Sequence, residues 1–214
     1  MPKFCSPGRV AALALTGAAA WLSACSSSVV VQSTFPTPLV EPLPLRMGVI
    51  MDDDLVNYIH AEDVPQQSTW TIDLGDANVA LLEPLFESMF LETRVVEGLP
   101  ASGMGLDGVL HPALEKFEFD VPIGERDEFV EVWMQYKLTL YEPDGTMVAE
   151  WPVSGYGKAE LRGKREEAVH RAAVVAMREV GASISTKFAA QPQVSYWLEE
   201  KTNGATLSAG QASN

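Results

Sequence analysis

The run Glu128-Phe-Val-Glu-Val-Trp-Met-Gln-Tyr-Lys-Leu-Thr-Leu-Tyr141 alternates with period two from end to end. Val130, Val132, Met134, Tyr136, Leu138 and Leu140 fall on one side; Glu131, Gln135, Lys137 and Thr139 fall on the other, with Phe129, Trp133 and Tyr141 among them. Successive side chains of a strand point to opposite faces, so this run reads as a long strand with one buried face. Its other face is left to water or to a partner.

The neighbours extend it into a sheet. Pro143-Asp144-Gly145-Thr146 is a turn, with the glycine free to take a positive φ. Met147 to Tyr156 then returns antiparallel, with Trp151 and Val153 on one face. On the other side Gly108 to Val121 forms a strand, joined through a turn at Pro122 to Asp127, and Pro112 predicts an edge or a bulge early in it. Earlier still, Leu45 to Met51 and Thr69 to Leu74 read as strands, and Thr93 to Gly98 as a short one.

Two stretches have helical spacing. From Asp76 to about Glu92, Val79, Leu82, Phe86 and Met89 recur three or four residues apart, and Pro84 predicts a kink or a late start. From about Lys164 to Ala189, Val169, Ala173, Ala176, Val180, Ile184 and Phe188 form the stripe of a long helix, and Glu166 and Glu167 complement the dipole at its start. The order β-β-α-β-β-β-β-α predicts an α+β two-layer sandwich: a mostly antiparallel sheet with two helices packed on one face.

Ahead of this domain the chain changes character. Lys3 and Arg9 precede an apolar run from Val10 to Leu22, too short to span a bilayer, which takes about 20 residues. Leu22-Ser23-Ala24-Cys25 follows and reads as a lipobox, so residues 1–24 are expected to leave as a signal peptide and Cys25 to be acylated. An opening run of three serines and then four prolines from Pro36 to Pro44 read as a tether over 25–44, reaching up to roughly 60 Å in polyproline geometry. The single domain is then 45–200, and the Gly/Ala/Ser/Asn-rich residues 201–214 read as a disordered tail.

Composition narrows the function classes. Cys5 leaves with the signal, so the mature domain has no thiol pair and must be held by its core. The chain carries a formal charge of −14 and no basic stripe, which excludes nucleic acid as a partner. Its one basic patch is Lys158, Arg162, Lys164 and Arg165. It could dock an acidic partner, or stay solvated. Asp52, Asp53 and Asp54, with His60, Glu62 and Asp63 nearby, lack calcium-loop spacing and read as a solvated acidic loop; no metal and no cofactor is expected. No zinc spacing of His60, His111 and His170, no Gly-x-Ser-x-Gly elbow and no Walker loop occurs, so no catalytic residue is assigned and the chain is not read as an enzyme. Trp133, Tyr141 and Trp151 are the candidate partner-binding residues, on the sheet face away from the helices. Sugar stacking on these aromatics is the other use they could serve.

With Leu22 to Cys25, the Ser/Pro segment and a sheet carrying two helices, the chain resembles small outer-membrane lipoproteins of Gram-negative bacteria. These include the auxiliary lipoproteins of ABC-type transport systems, peptidoglycan-synthase activators and lipopolysaccharide-assembly lipoproteins. The resemblance implies two or three acyl chains, palmitate among them, on Cys25, a lipid anchor in the membrane and exposure to the periplasm. Ser26, where an aspartate would mean inner-membrane retention, implies the outer membrane. The implied role is a non-catalytic adaptor of an envelope protein complex; the alternative is a glycan- or lipid-binding module.

Overall fold

The structure, a computed structural model, describes residues 26–122 and 129–211, the last ten of these as backbone only. The signal peptide, Cys25, and the turn residues 123–128 lie outside the described residues.

The predicted central strand is β7 (Phe129–Tyr141), flanked by β6 (Gly108–Asp120) and β8 (Met147–Glu160), all antiparallel. The six residues of β7 read as inward-facing are fully buried. Against this face packs α3 (Arg165–Lys187), and it comes unusually close. A Cβ on Gly157 would lie 1.9 Å from the Ala172 carbonyl oxygen, and one on Gly155 2.2 Å from that of Ala176. Glycines at alternate positions of β8 are what let helix and strand approach backbone to backbone.

The sheet continues beyond β6 with β2 (Leu43–Val49) and β5 (Phe90–Val95), giving the order β5-β2-β6-β7-β8. Both added pairings are parallel, so the sheet is mixed rather than mostly antiparallel, while the α+β sandwich class stands. Pro112 lies just beyond the β2 pairing, which ends at Leu110, so its missing N–H costs no ladder bond, and the bulge falls between Leu114 and Lys116.

The layer facing the sheet holds more than two helices. It includes α2 (Gly75–Met89) and a second, three-stranded sheet of β1 (Ser26–Val30), β4 (Thr69–Asp73) and β3 (Ile59–Asp63), in the order β1-β4-β3. Trp70 and Phe119 meet with ring centroids 5.5 Å apart, which closes the small sheet onto the large one. A single turn, α1 (Asp53–Val56), connects β2 to β3. Gly75 starts α2 where a Cβ would lie 2.3 Å from the Val56 carbonyl oxygen. At the bottom of the core, Tyr136 donates to Asn78 Oδ1 at 2.5 Å, and Asn78 Nδ2 donates to the Leu55 carbonyl at 2.9 Å, both polar groups being fully enclosed.

The segment expected to be a tether is part of the fold. Ser26 to Val30 runs parallel to β4 in continuous register from Ser26–Thr69 to Val30–Asp73. Val29 and Val31 are buried, and Phe35 and Val40 pack on the core. The apolar side chains between the serines and prolines give this stretch something to bury, and that burial overrides the freedom of a polyproline chain. His170 Nε2 meets the Gln32 carbonyl at 2.9 Å, tying the strap to α3.

At the other terminus α4 (Pro192–Gln211) extends over residues whose composition reads as tail. Its N-terminal half is anchored by Val194 and Trp197, both buried. Trp197 lies over Gly108, where a Cβ would approach it to 2.8 Å, and its Nε1 donates to Glu142 at 2.9 Å. On the free edge of β8, Glu179 from α3 accepts a hydrogen bond from the Tyr156 backbone N–H at 2.7 Å.

Candidate functional site

Among the described residues no other element crosses the centre of the outer face of β6, β7 and β8, which carries three kinds of surface. At the end where β7 begins, Trp133 stands opposite Tyr156 across the β7–β8 ladder and opposite Glu118 across the β6–β7 ladder. Tyr156 is 43% exposed and Phe129, at the start of the strand, 39% exposed; Trp133 is half-buried between its neighbours. Lys116 Nζ lies 5.9 Å from the Trp133 ring centre and Lys158 Nζ 4.5 Å from that of Phe129. Lys158 also pairs with Glu131 at 2.7 Å. Its hydrogen bond holds the Glu131 carboxyl below the usual carboxylate range, with the Tyr156 hydroxyl contributing, while the same contact raises Lys158. Aromatic faces flanked by fixed charges form one continuous patch here.

The middle of the face is a charge ladder. Lys137 sits between Glu115 at 2.9 Å and Glu150 at 3.7 Å. The Lys137 hydrogen bond lowers the Glu115 carboxyl, and Glu115 in turn raises Lys137. The far end is closed: Tyr141 packs against the small cluster of Ile50, Val96, Ala101 and Val109, under the loop that follows β5.

The three aromatics read together from the sequence therefore separate. Trp133 is on the outer face as expected. Tyr141 shares that face but is eight residues away, about 27 Å along a strand, and is partly covered. Trp151 is on the inner face: it stands opposite Leu138, is only 8% exposed and packs on Phe188 with ring centroids 5.9 Å apart. Its place in a partner surface is corrected by this register. Tyr156, which replaces it, had a legible signal: three residues after Val153, it must point to the opposite face of an alternating strand.

The basic patch also disperses. Lys158 is on the outer sheet face, Arg162 pairs with Glu160 in the following loop, and Lys164 and Arg165 open α3 with no ion pair among the described residues. Asp52, expected in a solvated loop, instead caps α1. Its carboxylate accepts from the Leu55 N–H at 2.9 Å and meets His111 Nε2 at 2.7 Å. Among the described residues no group of three or more His, Cys, Asp or Glu side chains could hold a metal ion.

One apolar cleft accompanies these surfaces. It lies between α2, α3 and the strap, has a volume of about 220 Å³ and is lined by Phe35, Pro36, Pro38, Leu81 and Leu85, with Arg178 at its rim.

No family model and no curated protein matches this chain. Solved structures resemble it distantly, at low identity. A Xanthomonas campestris protein of the family DUF330 is 13% identical over 75% of this chain and 91% of its own, with a TM-score of 0.49. A Helicobacter pylori protein named as a neuraminyllactose-binding hemagglutinin homologue is 11% identical over 81% of this chain and 100% of its own, TM-score 0.47. A lipoprotein of Neisseria meningitidis is 11% identical over 64% of this chain and 86% of its own, TM-score 0.29. Lipoproteins of Gram-negative bacteria are thus among the structures this chain is similar to; at such scores the likeness carries no residue across.

Proposed function

We propose that the chain is a non-catalytic envelope lipoprotein, anchored through acylated Cys25, that serves as an adaptor or accessory subunit of a cell-envelope protein complex. The complex is one of transport or envelope assembly, and Ser26 after the acylated cysteine favours the outer membrane, with the domain in the periplasm. No helix among the described residues is long and apolar enough to cross a membrane, which fits attachment by lipid. The observation that carries the adaptor role is the Trp133–Tyr156 pair with Phe129 on a sheet face that no described element covers at its centre. Large aromatics ringed by polar groups supply binding energy at partner surfaces.

The test is capture of a cross-linked envelope complex with the wild type, Trp133→Ala and Tyr141→Ala side by side. Trp133→Ala is expected to lose the partner and Tyr141→Ala, on the same face at the closed end, to keep it. Equal recovery by Trp133→Ala and the wild type would remove this surface from the proposal.

The cleft under the strap favours a second reading, a lipid-binding module in which an acyl chain lies along Leu81 and Leu85 with its head group toward Arg178. Native mass spectrometry of the purified domain decides: a co-purifying amphiphile lost in Leu85→Trp supports it, and a bare domain rules against it.

A further inference from the structure

β1 leaves no slack between the anchor and the domain. It begins at Ser26, one peptide bond and about 3.8 Å after Cys25, and every residue from Ser26 to Val30 is in register with β4. Ser27 Oγ and Ser68 Oγ are 3.0 Å apart, and Val29 and Val31 are buried. The start of β1 is therefore fixed to the body of the protein.

Its position in that body follows contact by contact. Gln67, beside the Ser27–Ser68 pair, donates to the Val121 carbonyl at 2.9 Å. Val121 follows the end of β6, where Asp120 stands opposite Glu131 near the start of β7. Phe129 at that start stands opposite Glu160 at the end of β8, and Arg171 from the second turn of α3 donates to the Glu160 carbonyl at 2.8 Å. Ser26 thus shares one end of the molecule with the end of β6, the start of β7, the end of β8 and the start of α3. That end presents Phe129, exposed under Lys158, together with Lys164 and Arg165. Asp63, Asp120, Glu131, Glu160, Glu166 and Glu167 are there too, so the surface is of mixed charge.

We infer that, once Cys25 is acylated, this end of the domain lies against the lipid headgroups of the bilayer holding the acyl chains, with the long strands rising from the membrane. The inference rests on the lipoprotein reading above and adds an orientation to it. The short connection sets the orientation; the exposed cations and Phe129 suit a headgroup layer, where amphipathic and basic side chains sit readily. A thirteen-residue strand spans about 43 Å, so the Pro143–Thr146 turn stands roughly 40 Å above the near end. Trp133, four residues into β7, stands only about 13 Å above Phe129. The partner it meets is then one reached at the membrane surface.

The acylated full-length protein offers a clean test, because the mature domain has no thiol of its own. Single-cysteine variants Asp120→Cys, at the near end, and Asp144→Cys, at the far turn, are labelled with a donor dye. Each is reconstituted in phosphatidylethanolamine/phosphatidylglycerol vesicles that carry a headgroup acceptor. Energy transfer several-fold stronger from position 120 than from 144 is expected, and a ten-residue Ser/Gly insertion between Cys25 and Ser26 should erase most of the difference. Equal transfer from the two positions without the insertion overturns the orientation. Mass spectrometry of the N-terminal peptide separates the two failures: an unmodified Cys25 overturns the lipoprotein reading itself, whereas acylated Cys25 with equal transfer overturns only the orientation.

Discussion

The two faces of β7 are made from the same thirteen-residue sequence yet obey different physics. On the inner face six apolar side chains are fully enclosed, and α3 lies so close that Gly155 and Gly157 have no room for a methyl group. On the outer face, charged side chains pair across the strands, and the exposed rings gather at one end. The inner face holds the fold and tolerates little change in volume. The outer face contributes little to folding, so its composition is free to serve recognition.

The sharpest way to break this contrast is Gly157→Val. Its Cβ would collide with the Ala172 carbonyl, backbone against backbone, so the variant is expected not to fold. A soluble variant with a wild-type thermal midpoint would mean that α3 is not seated as described. Tyr136→Phe should cost less, about 1–3 kcal/mol, because it leaves Asn78 Oδ1 buried without its donor; urea unfolding measures it. The same residue sets an alkaline limit. Burial pushes the Tyr136 phenol well above its usual range, so the folded chain keeps it neutral where the unfolded chain ionises it. That stability is fully present below about pH 10, the unfolded value, and is lost as pH rises beyond it. The alkaline limb of the stability curve should be shallower in Tyr136→Phe, and an unchanged limb would refute the assignment.

Outer-face changes should be much smaller. Trp133→Ala is expected to shift stability by less than about 1 kcal/mol, despite its expected effect on partner capture; a loss like that of a core residue would place Trp133 with the inner face. Glu131→Gln is the mildest. It should lower the midpoint at neutral pH only slightly by calorimetry, since an exposed pair is screened by water. The folded Glu131 carboxyl is held low by Lys158, so its contribution is present above the unfolded carboxylate range, about 4.3, and is lost as pH falls through the folded value. The variant should therefore show a slightly gentler acid limb.

The long strands were legible because alternation is strong where one face is buried and the other wet. β6, β7, the turn at Gly145 and α3 fall within a few residues of their predicted bounds. The elements that escaped lack that contrast. β3, Ile-His-Ala-Glu-Asp, is an edge strand with little buried surface and no apolar period. β1 has two valines in tandem after three serines, and its strand state comes from pairing with β4 rather than from its own pattern. α4 is seated by Val194 and Trp197, too few to announce an amphipathic helix. At the candidate site Trp133 was readable from parity alone. Trp151 was misplaced because the relation between strands depends on the turn and on an irregularity between Leu140 and Tyr141.

The contact between Glu179 and the Tyr156 N–H has a consequence beyond the strand it touches. β8 is an outermost strand of fourteen residues, and an unsatisfied border of that length is a template onto which another molecule's strand can grow. The carboxylate already occupies one donor on that border, and Pro152, four residues earlier on the same side, has none to give. The ladder is interrupted at two points a single β-turn's length apart, so the sheet ends where the chain ends it, and copies of the chain crowded together are hindered from polymerising along that border.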